Sequence, residues 1–243
     1  LGNHDAPRVW SCYGDGSNDA ALARIHAALI LTLKGSPFLY YGEEIGMADL
    51  ELTDLSQIRD TAGLLQYRKL TEELGFSPTQ AFQRVARITR DRCRTPLQWA
   101  NAPNGGFSPA NVTTWLPVHP NYGEGVNVAD QASNPNSLLS FYRRLIALRR
   151  STPALVAGEY APVDANEEDY FAFTRSTPYQ TVLVALNFSD KPQTLALSPP
   201  HQPAHVLFSS TARDSQLNDA AQLDLAPFEV LITELHQSKL SNP

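Results

Sequence analysis

Apolar and polar positions change rhythm several times along the chain, and each change marks an element. LGNHD (residues 1–5) passes abruptly from apolar to polar and small residues. That break predicts the tail of a buried strand running into a loop over residues 1–10, a place where chemistry often sits. SNDAALARIHAALILTLKGSP (residues 17–37) is rich in Ala and Leu, with Leu22, Ile25, Leu29 and Leu33 at helical spacing. It predicts a helix capped by Ser17 or Asn18 and stopped by Gly35 and Pro37. FLYYG (residues 38–42) is a short apolar and aromatic run that predicts a buried strand following that helix. Strand end, helix, strand is an α/β order.

From about Glu44 to Pro135 the pattern loosens into an insertion rich in Pro, Asn and Gly, with one or two helices expected within LTDLSQIRDTAGLLQYRKLTEELG (residues 52–75). A loop of this length is usually functional or a small subdomain. NPNSLLSFYRRLIALRRSTP (residues 134–153) predicts a helix with Asn136 as its cap and an apolar stripe of Leu138, Phe141, Leu145 and Leu148. Arg149 and Arg150 suit its C-terminal dipole. Beyond Pro153 the character changes: DYFAFTR, QTVLVALNFS, QTLALS, AHVLFSS and FEVLITEL read as short strands between turns, a small all-β domain. In the last, Phe228, Val230 and Ile232 alternate with Glu229, Leu231 and Thr233, as in a half-exposed strand. The final residues, HQSKLSNP, are expected to fray.

Composition narrows the classes. The 243 residues are 42 % hydrophobic and 18 % charged, which fits a folded chain of two units. A net charge of -6 provides no basic footprint for nucleic acid. No apolar run approaches the roughly 20 residues of a membrane span. The chain opens on Leu rather than Met, from which a preceding segment is expected, so the compartment stays open, with cytoplasmic preferred to periplasmic. Cys12 and Cys93 stand far apart without His or Cys at zinc-ligand spacing, so both are expected to be buried free thiols and no metal site is assigned.

The opening triplet carries the candidate chemistry. His4 and Asp5, with Arg8 three residues on, bring imidazole, carboxylate and guanidinium to one loop, a set able to hydrogen-bond vicinal hydroxyls. A cap would need less. An ionised carboxylate also stabilises the oxocarbenium-like centre formed when a glycosidic bond breaks.

LGNHDAPRV, GSPFLYYGEEIGM, RCRTPLQW and GFS…WLPV, in this order, resemble the C-terminal part of an α-glucosidase of the α-amylase family of glycoside hydrolases, nearest to oligo-1,6-glucosidases and maltases. The resemblance covers nearly the whole chain and implies the C-terminal portion of a (β/α)8 barrel, residues 1–152, followed by an antiparallel β-sandwich domain, residues 153–243. Residues 1–5 would end the seventh strand and FLYYG would be the eighth. It implies that Asp5 is the transition-state-stabilising carboxylate, that His4 and Arg8 hold the cleaved glucose, and that Arg94 lies near the leaving-group side. Glu43 and Glu44 are left to structural hydrogen bonding, and Trp99, Trp115 and Tyr122 to anchoring their loop.

The family's nucleophile segment, Gly-x-Arg-x-Asp, and the Asp-x-x-x-Asn-His segment that precedes it are absent from the sequence, and the resemblance places the general-acid Glu on a strand before Leu1. The chain alone is therefore expected to be inactive, with a first half that cannot close a barrel and a β-rich tail able to fold by itself. No organic cofactor is implied, and any calcium site of the family would lie before Leu1. The substrate implied is a small oligosaccharide cleaved with retention at its α-glucosidic bond. Other readings are a transglycosylase of trehalose- or isomaltulose-synthase type, a non-catalytic glucosidase-like partner subunit, and an isolated sugar-binding fragment.

Overall fold

A computed structural model describes residues 1–163, 168–197, 202–215 and 222–236. Residues 237–243, where fraying is expected, lie outside it. The chain divides into two compact units: residues 1–19 with 39–140, and residues 20–38 with 141–243.

The first unit is built from helices and loops. Helix α1 spans Val9–Tyr13, and helix α2, Asp19–Thr32, leaves this unit after its first residue. Helix α3, Thr61–Arg68, starts on Asp60, whose carboxylate accepts the Ala62 N–H, and runs on through a π-turn over Lys69–Glu73. Helix α4, Pro78–Ile88, has Pro at its first position and a reciprocal cap in which Ser77 Oγ takes the Gln80 N–H and Gln80 Oε1 takes that of Ser77. Its Ala81 and Val85 bury against Leu50, Leu52, Ile58 and Leu70. Helix α5 spans Val128–Ala132. A second cluster joins Ile45 and Met47 to Leu139.

Neither expected barrel strand is formed. Residues 1–5 make a turn, with the Asp5 N–H on Asn3 Oδ1, and residues 36–40 are irregular. A strand exists only through a hydrogen-bonded neighbour, and neither segment has one among the described residues. Phe38, expected in a core, is 81 % exposed.

The second unit carries most of α2, together with helices α6, Leu138–Ser151, and α7, Pro153–Ala157, and seven strands. In α6 Leu138, Phe141 and Leu145 are buried as expected. Arg149, expected to serve the end of its own helix, instead donates to Leu31 O at 2.7 Å, Leu33 O at 3.3 Å and Gly35 O at 2.7 Å, and Arg175 donates to Thr32 O at 2.6 Å. The orphan carbonyls at the end of α2 are satisfied by guanidinium groups from distant elements. In α2 the buried face runs through Ala23, Ile25, Ala27, Ala28 and Leu31; of the expected stripe only Ile25 is fully buried.

The strands are β1 Glu159–Val163, β2 Tyr170–Ser176, β3 Thr181–Asn187, β4 Gln193–Ala196, β5 Gln202–Ser209, β6 Gln222–Leu225 and β7 Val230–His236. They form an antiparallel five-stranded sheet in the order β1-β2-β3-β7-β5, and β4 pairs with β6. Ala172, Ala185 and Leu231 lie opposite one another on one face, where Leu195, Leu197, Leu223 and Leu225 of the small sheet cover them. On the other face Phe173, Val184, Ile232 and Phe208 form a cross-strand row, with Phe141 of α6 edge-on to Phe208 at 5.2 Å. This is a sandwich covered on both sides. The half-exposed reading of β7 is therefore wrong: Glu229, preceding it, and Thr233 within it are as buried as Val230 and Ile232. Burial pushes the Glu229 carboxyl up, but Arg213, the Ala226 N–H, Thr211 and Ser209 outweigh it and hold the group ionised.

Candidate active site

In the first unit, the loop of residues 1–5 is tied down from beneath. Glu43, buried in a 3-10 turn over Glu43–Ile45, accepts the Gly2 N–H at 2.9 Å and the Tyr40 N–H at 3.2 Å. A Cβ at Gly2 would meet that carboxylate at its Oε1, so a larger residue there would have to displace the Glu43 side chain. Glu44 accepts the Gly42 N–H at 2.8 Å. Both acids thus have the structural role assigned to them from sequence.

Above this anchor, Asp5 stands half exposed on the loop surface. Its Oδ1 accepts Arg90 Nη1 at 2.9 Å and Arg94 Nη2 at 2.8 Å, and its Oδ2 lies 3.3 Å from His4 Nε2. Arg94 also donates through Nε to His4 O at 2.7 Å. The hydrogen bond from Arg90 is the main reason that the Asp5 carboxyl is held below its usual range. A half-exposed carboxylate with its Oδ1 on two guanidinium groups thus stands beside an imidazole.

His4, Asp5 and Arg94 are brought together. Arg8 is not with them: it is fully buried, its guanidinium packed against the Tyr40 and Tyr41 rings at 5.1 and 4.9 Å, with Nη1 on Tyr41 O at 2.7 Å. Its Nε and Nη2 have no hydrogen-bond partner among the described residues. Gly42, at φ 86°, leaves room for it, since a Cβ there would stand 3.1 Å from Arg8 Nη1. Trp115 anchors its loop as expected, through Nε1 to Arg94 O at 2.9 Å and edge-on to Phe107 at 5.2 Å.

Sequence reasoning missed Arg90. In TRDRCRTP Arg90 opens and Arg94 follows a single 3-10 turn over Arg90–Cys93 that starts on Thr89, and both guanidinium groups reach Asp5 Oδ1. That spacing was the available signal. Arg90 also grips Asp60, through Nε at 2.9 Å and Nη2 at 2.6 Å. This fork, against some burial, pulls the Asp60 carboxyl down to about 2 from its usual 3.8. Because the folded value is the lower one, the stabilisation is complete above about pH 4 and is lost as pH falls toward about 2. Denaturant midpoints followed across that range should fall with pH in the native chain and fall less in Asp60→Asn; equal slopes would contradict the pairing.

Cys93 is buried and Cys12 exposed, so the expectation of burial fails for Cys12; both are free. Among the described residues no group of His, Cys, Asp and Glu is arranged to hold a metal ion, and no helix is long and apolar enough to cross a membrane. A cavity of about 570 Å³ in this unit is lined by Asp49, Glu51, Arg87, Arg92 and His119 among others, and Asp5 and His4 do not border it.

Residues 1–158 match the family described as alpha amylase, catalytic domain, and residues 161–232 match maltogenic amylase, C-terminal domain. The oligo-1,6-glucosidase of Parageobacillus thermoglucosidasius is 33 % identical over 211 residues, covering 86 % of this chain and 36 % of that protein. The glucan 1,6-alpha-glucosidase of Streptococcus dysgalactiae subsp. equisimilis is 37 % identical over 195 residues, covering 80 % and 36 %. Among solved structures, the trehalulose synthase of Pseudomonas mesoacidophila superposes with a TM-score of 0.86 at 35 % identity, over 97 % of this chain and 42 % of that one. An isomaltulose synthase variant of Erwinia rhapontici, solved with its natural substrate sucrose, gives 0.85 at 32 % identity over 98 % and 42 %. The chain thus spans roughly two-fifths of the length of the relatives it matches. With its Asn-His-Asp loop, its arginine-rich turn and its β-sandwich in the family's order, the chain belongs to the α-amylase family of glycoside hydrolases and carries the C-terminal portion of that family's catalytic barrel followed by its C-terminal β-domain.

Proposed function

We propose that this chain serves a retaining α-glucosidase acting on short oligosaccharides of the maltose and isomaltose type. The observation that carries the proposal is the ionised, half-exposed Asp5 carboxylate, held by two guanidinium groups and flanked by His4. In the mechanism, a carboxylate nucleophile and a carboxylic acid about 5 Å apart form and hydrolyse a glycosyl-enzyme. Both would come from segments of the enzyme beyond these residues. Asp5 would stabilise the oxocarbenium-like transition state, His4 would hold the glucose at the point of cleavage, and Arg94 would bound the leaving-group side; Arg8, fully buried against Tyr40 and Tyr41, does not reach the sugar and would support the site only through that packing. The oligo-1,6-glucosidases among the relatives support α-1,6 cleavage. The domain boundary is proposed at residues 152/153. No organic cofactor enters the reading, and any calcium site of the family would be built outside this sequence. Two free thiols fit a cytoplasmic enzyme.

A second reading, sucrose isomerisation by transglycosylation, is favoured by the trehalulose and isomaltulose synthases among the structural neighbours. Product analysis separates the two. The enzyme that contains this chain should release glucose from isomaltose, whereas an isomerase would convert sucrose chiefly into linkage isomers. The 243-residue chain alone should release no glucose above blank, and hydrolysis by it would overturn the division of catalytic groups.

A further inference from the structure

We propose that Arg90 is a positioning residue for the Asp5 carboxylate, through which the fold of the 44–135 insertion is transmitted to the catalytic loop. The proposal rests on the reading of Asp5 as the transition-state stabiliser. It deepens that reading by naming what aims the group.

The guanidinium of Arg90 spans two carboxylates. One edge makes the fork to Asp60, Nε to Oδ2 at 2.9 Å and Nη2 to Oδ1 at 2.6 Å, and the remaining Nη1 reaches Asp5 Oδ1 at 2.9 Å. Paired fork contacts fix orientation as well as distance. The Asp60 end is immobilised independently. Its side chain is 4 % exposed, it caps α3 through the Ala62 N–H at 3.2 Å, and its own N–H and that of Arg59 donate to Asp91 Oδ2 at 2.8 and 2.7 Å. Asp91 is in turn held by Thr89 Oγ1 at 3.2 Å.

The Asp5 side chain, by contrast, is 51 % exposed and is held by its hydrogen bonds to Arg90 and Arg94. Arg94 binds the same Oδ1, but its Nε goes to the His4 carbonyl, so both of these side-chain bonds end on the one loop and neither reaches a second carboxylate. Among the described residues, Arg90 is the side chain that joins Asp5 directly to a second, buried carboxylate, that of Asp60. The result is that Oδ1 is engaged by two guanidinium donors while Oδ2, beside His4, faces outward. Misplacing a catalytic group by about 1 Å costs on the order of 10²-fold in rate, so a fixed anchor has a direct kinetic consequence.

The test is made in the enzyme that contains this chain, with active sites counted by a mechanism-based glycosyl trap so that rates refer to folded molecules. Arg90→Gln should lower kcat about 10- to 100-fold with KM changed less than about threefold, since the defect lies in aiming rather than in ground-state binding. Arg90→Lys, which keeps one donor, should recover part of the loss. Asp60→Asn, which loosens the anchor but leaves Arg90 in place, should lower kcat less. In the background of Asp5→Asn, Arg90→Gln should cost little more, because residues acting through one another are not additive. Unchanged kcat per trapped site in Arg90→Gln, or full additivity with Asp5→Asn, would overturn the proposal. An Asp5→Asn enzyme that remained active would instead overturn the reading of Asp5 on which it rests.

Discussion

Replacing Asp5 by Asn in the enzyme that contains this chain is expected to lower kcat by about 10²–10³-fold or more while leaving KM within a few-fold. Asn has nearly the same shape, and its side-chain oxygen can still accept from Arg90 Nη1 and Arg94 Nη2, the two donors on Asp5 Oδ1. The loop should therefore stay in place. What disappears is the negative charge that strengthens its interaction only as the sugar becomes cationic, and an interaction that appears in the transition state alone is read in kcat. Because Asp5 is half exposed, its loss leaves no cavity and no buried unpaired group, and the melting temperature should barely move. Steady-state hydrolysis of a chromogenic α-glucoside, with parallel thermal melts, makes the comparison. A kcat within about threefold of the parent would remove Asp5 from the catalytic groups.

The second large effect is structural. Phe173 is fully buried in the row Phe173, Val184, Ile232, Phe208 and lies 5.3 Å from the rings of Tyr160 and Phe171. Phe173→Ala removes that ring from a sheet covered on both faces, where neighbours cannot collapse into the space. The expected loss is about 3–5 kcal/mol, against a total stability of about 5–15 kcal/mol for an ordinary domain. Urea unfolding of the chain, followed by intrinsic fluorescence, should show the midpoint of the β-rich transition falling sharply. Tyr179, 93 % exposed at the turn between β2 and β3, is the control: Tyr179→Ala should stay within about 0.5 kcal/mol. A Phe173→Ala loss no larger than that of the control would mean that the sandwich core is not closed as described.

These effects fall at places that differ in how far they could be read beforehand. Of the seven strands among the described residues, five were marked by short apolar runs between turns, and β1 and β6 were not, because EYAPV and QLDL are too short and too polar to announce themselves. Helix α4 was missed although Ser-Pro-Thr-Gln at its start is a recognisable cap. His4, Asp5 and Arg94 were legible as candidate chemistry only because their motifs resemble a family. Arg90 carried no such mark, since its partners stand 30 and 85 residues away in sequence.

What the sequence determines by itself is local. Large apolar residues at helical spacing specify α6, continuous apolar runs between turns specify the central strands, and small and polar residues after Leu1 specify an exposed loop bearing His4 and Asp5. Tertiary structure decides what depends on a partner. FLYYG has the composition of a strand, yet without a hydrogen-bonded neighbour it is an irregular loop with Phe38 in solvent. Glu229 has the composition of a surface residue, yet Arg213 and two hydroxyl groups satisfy it in the interior. Arg8 and Arg90 are alike as residues; one is buried against two tyrosine rings and the other joins two carboxylates across the insertion. Backbone ladders, buried charges and ion pairs all gain their stability from groups remote in sequence, so their placement follows from packing rather than from local pattern.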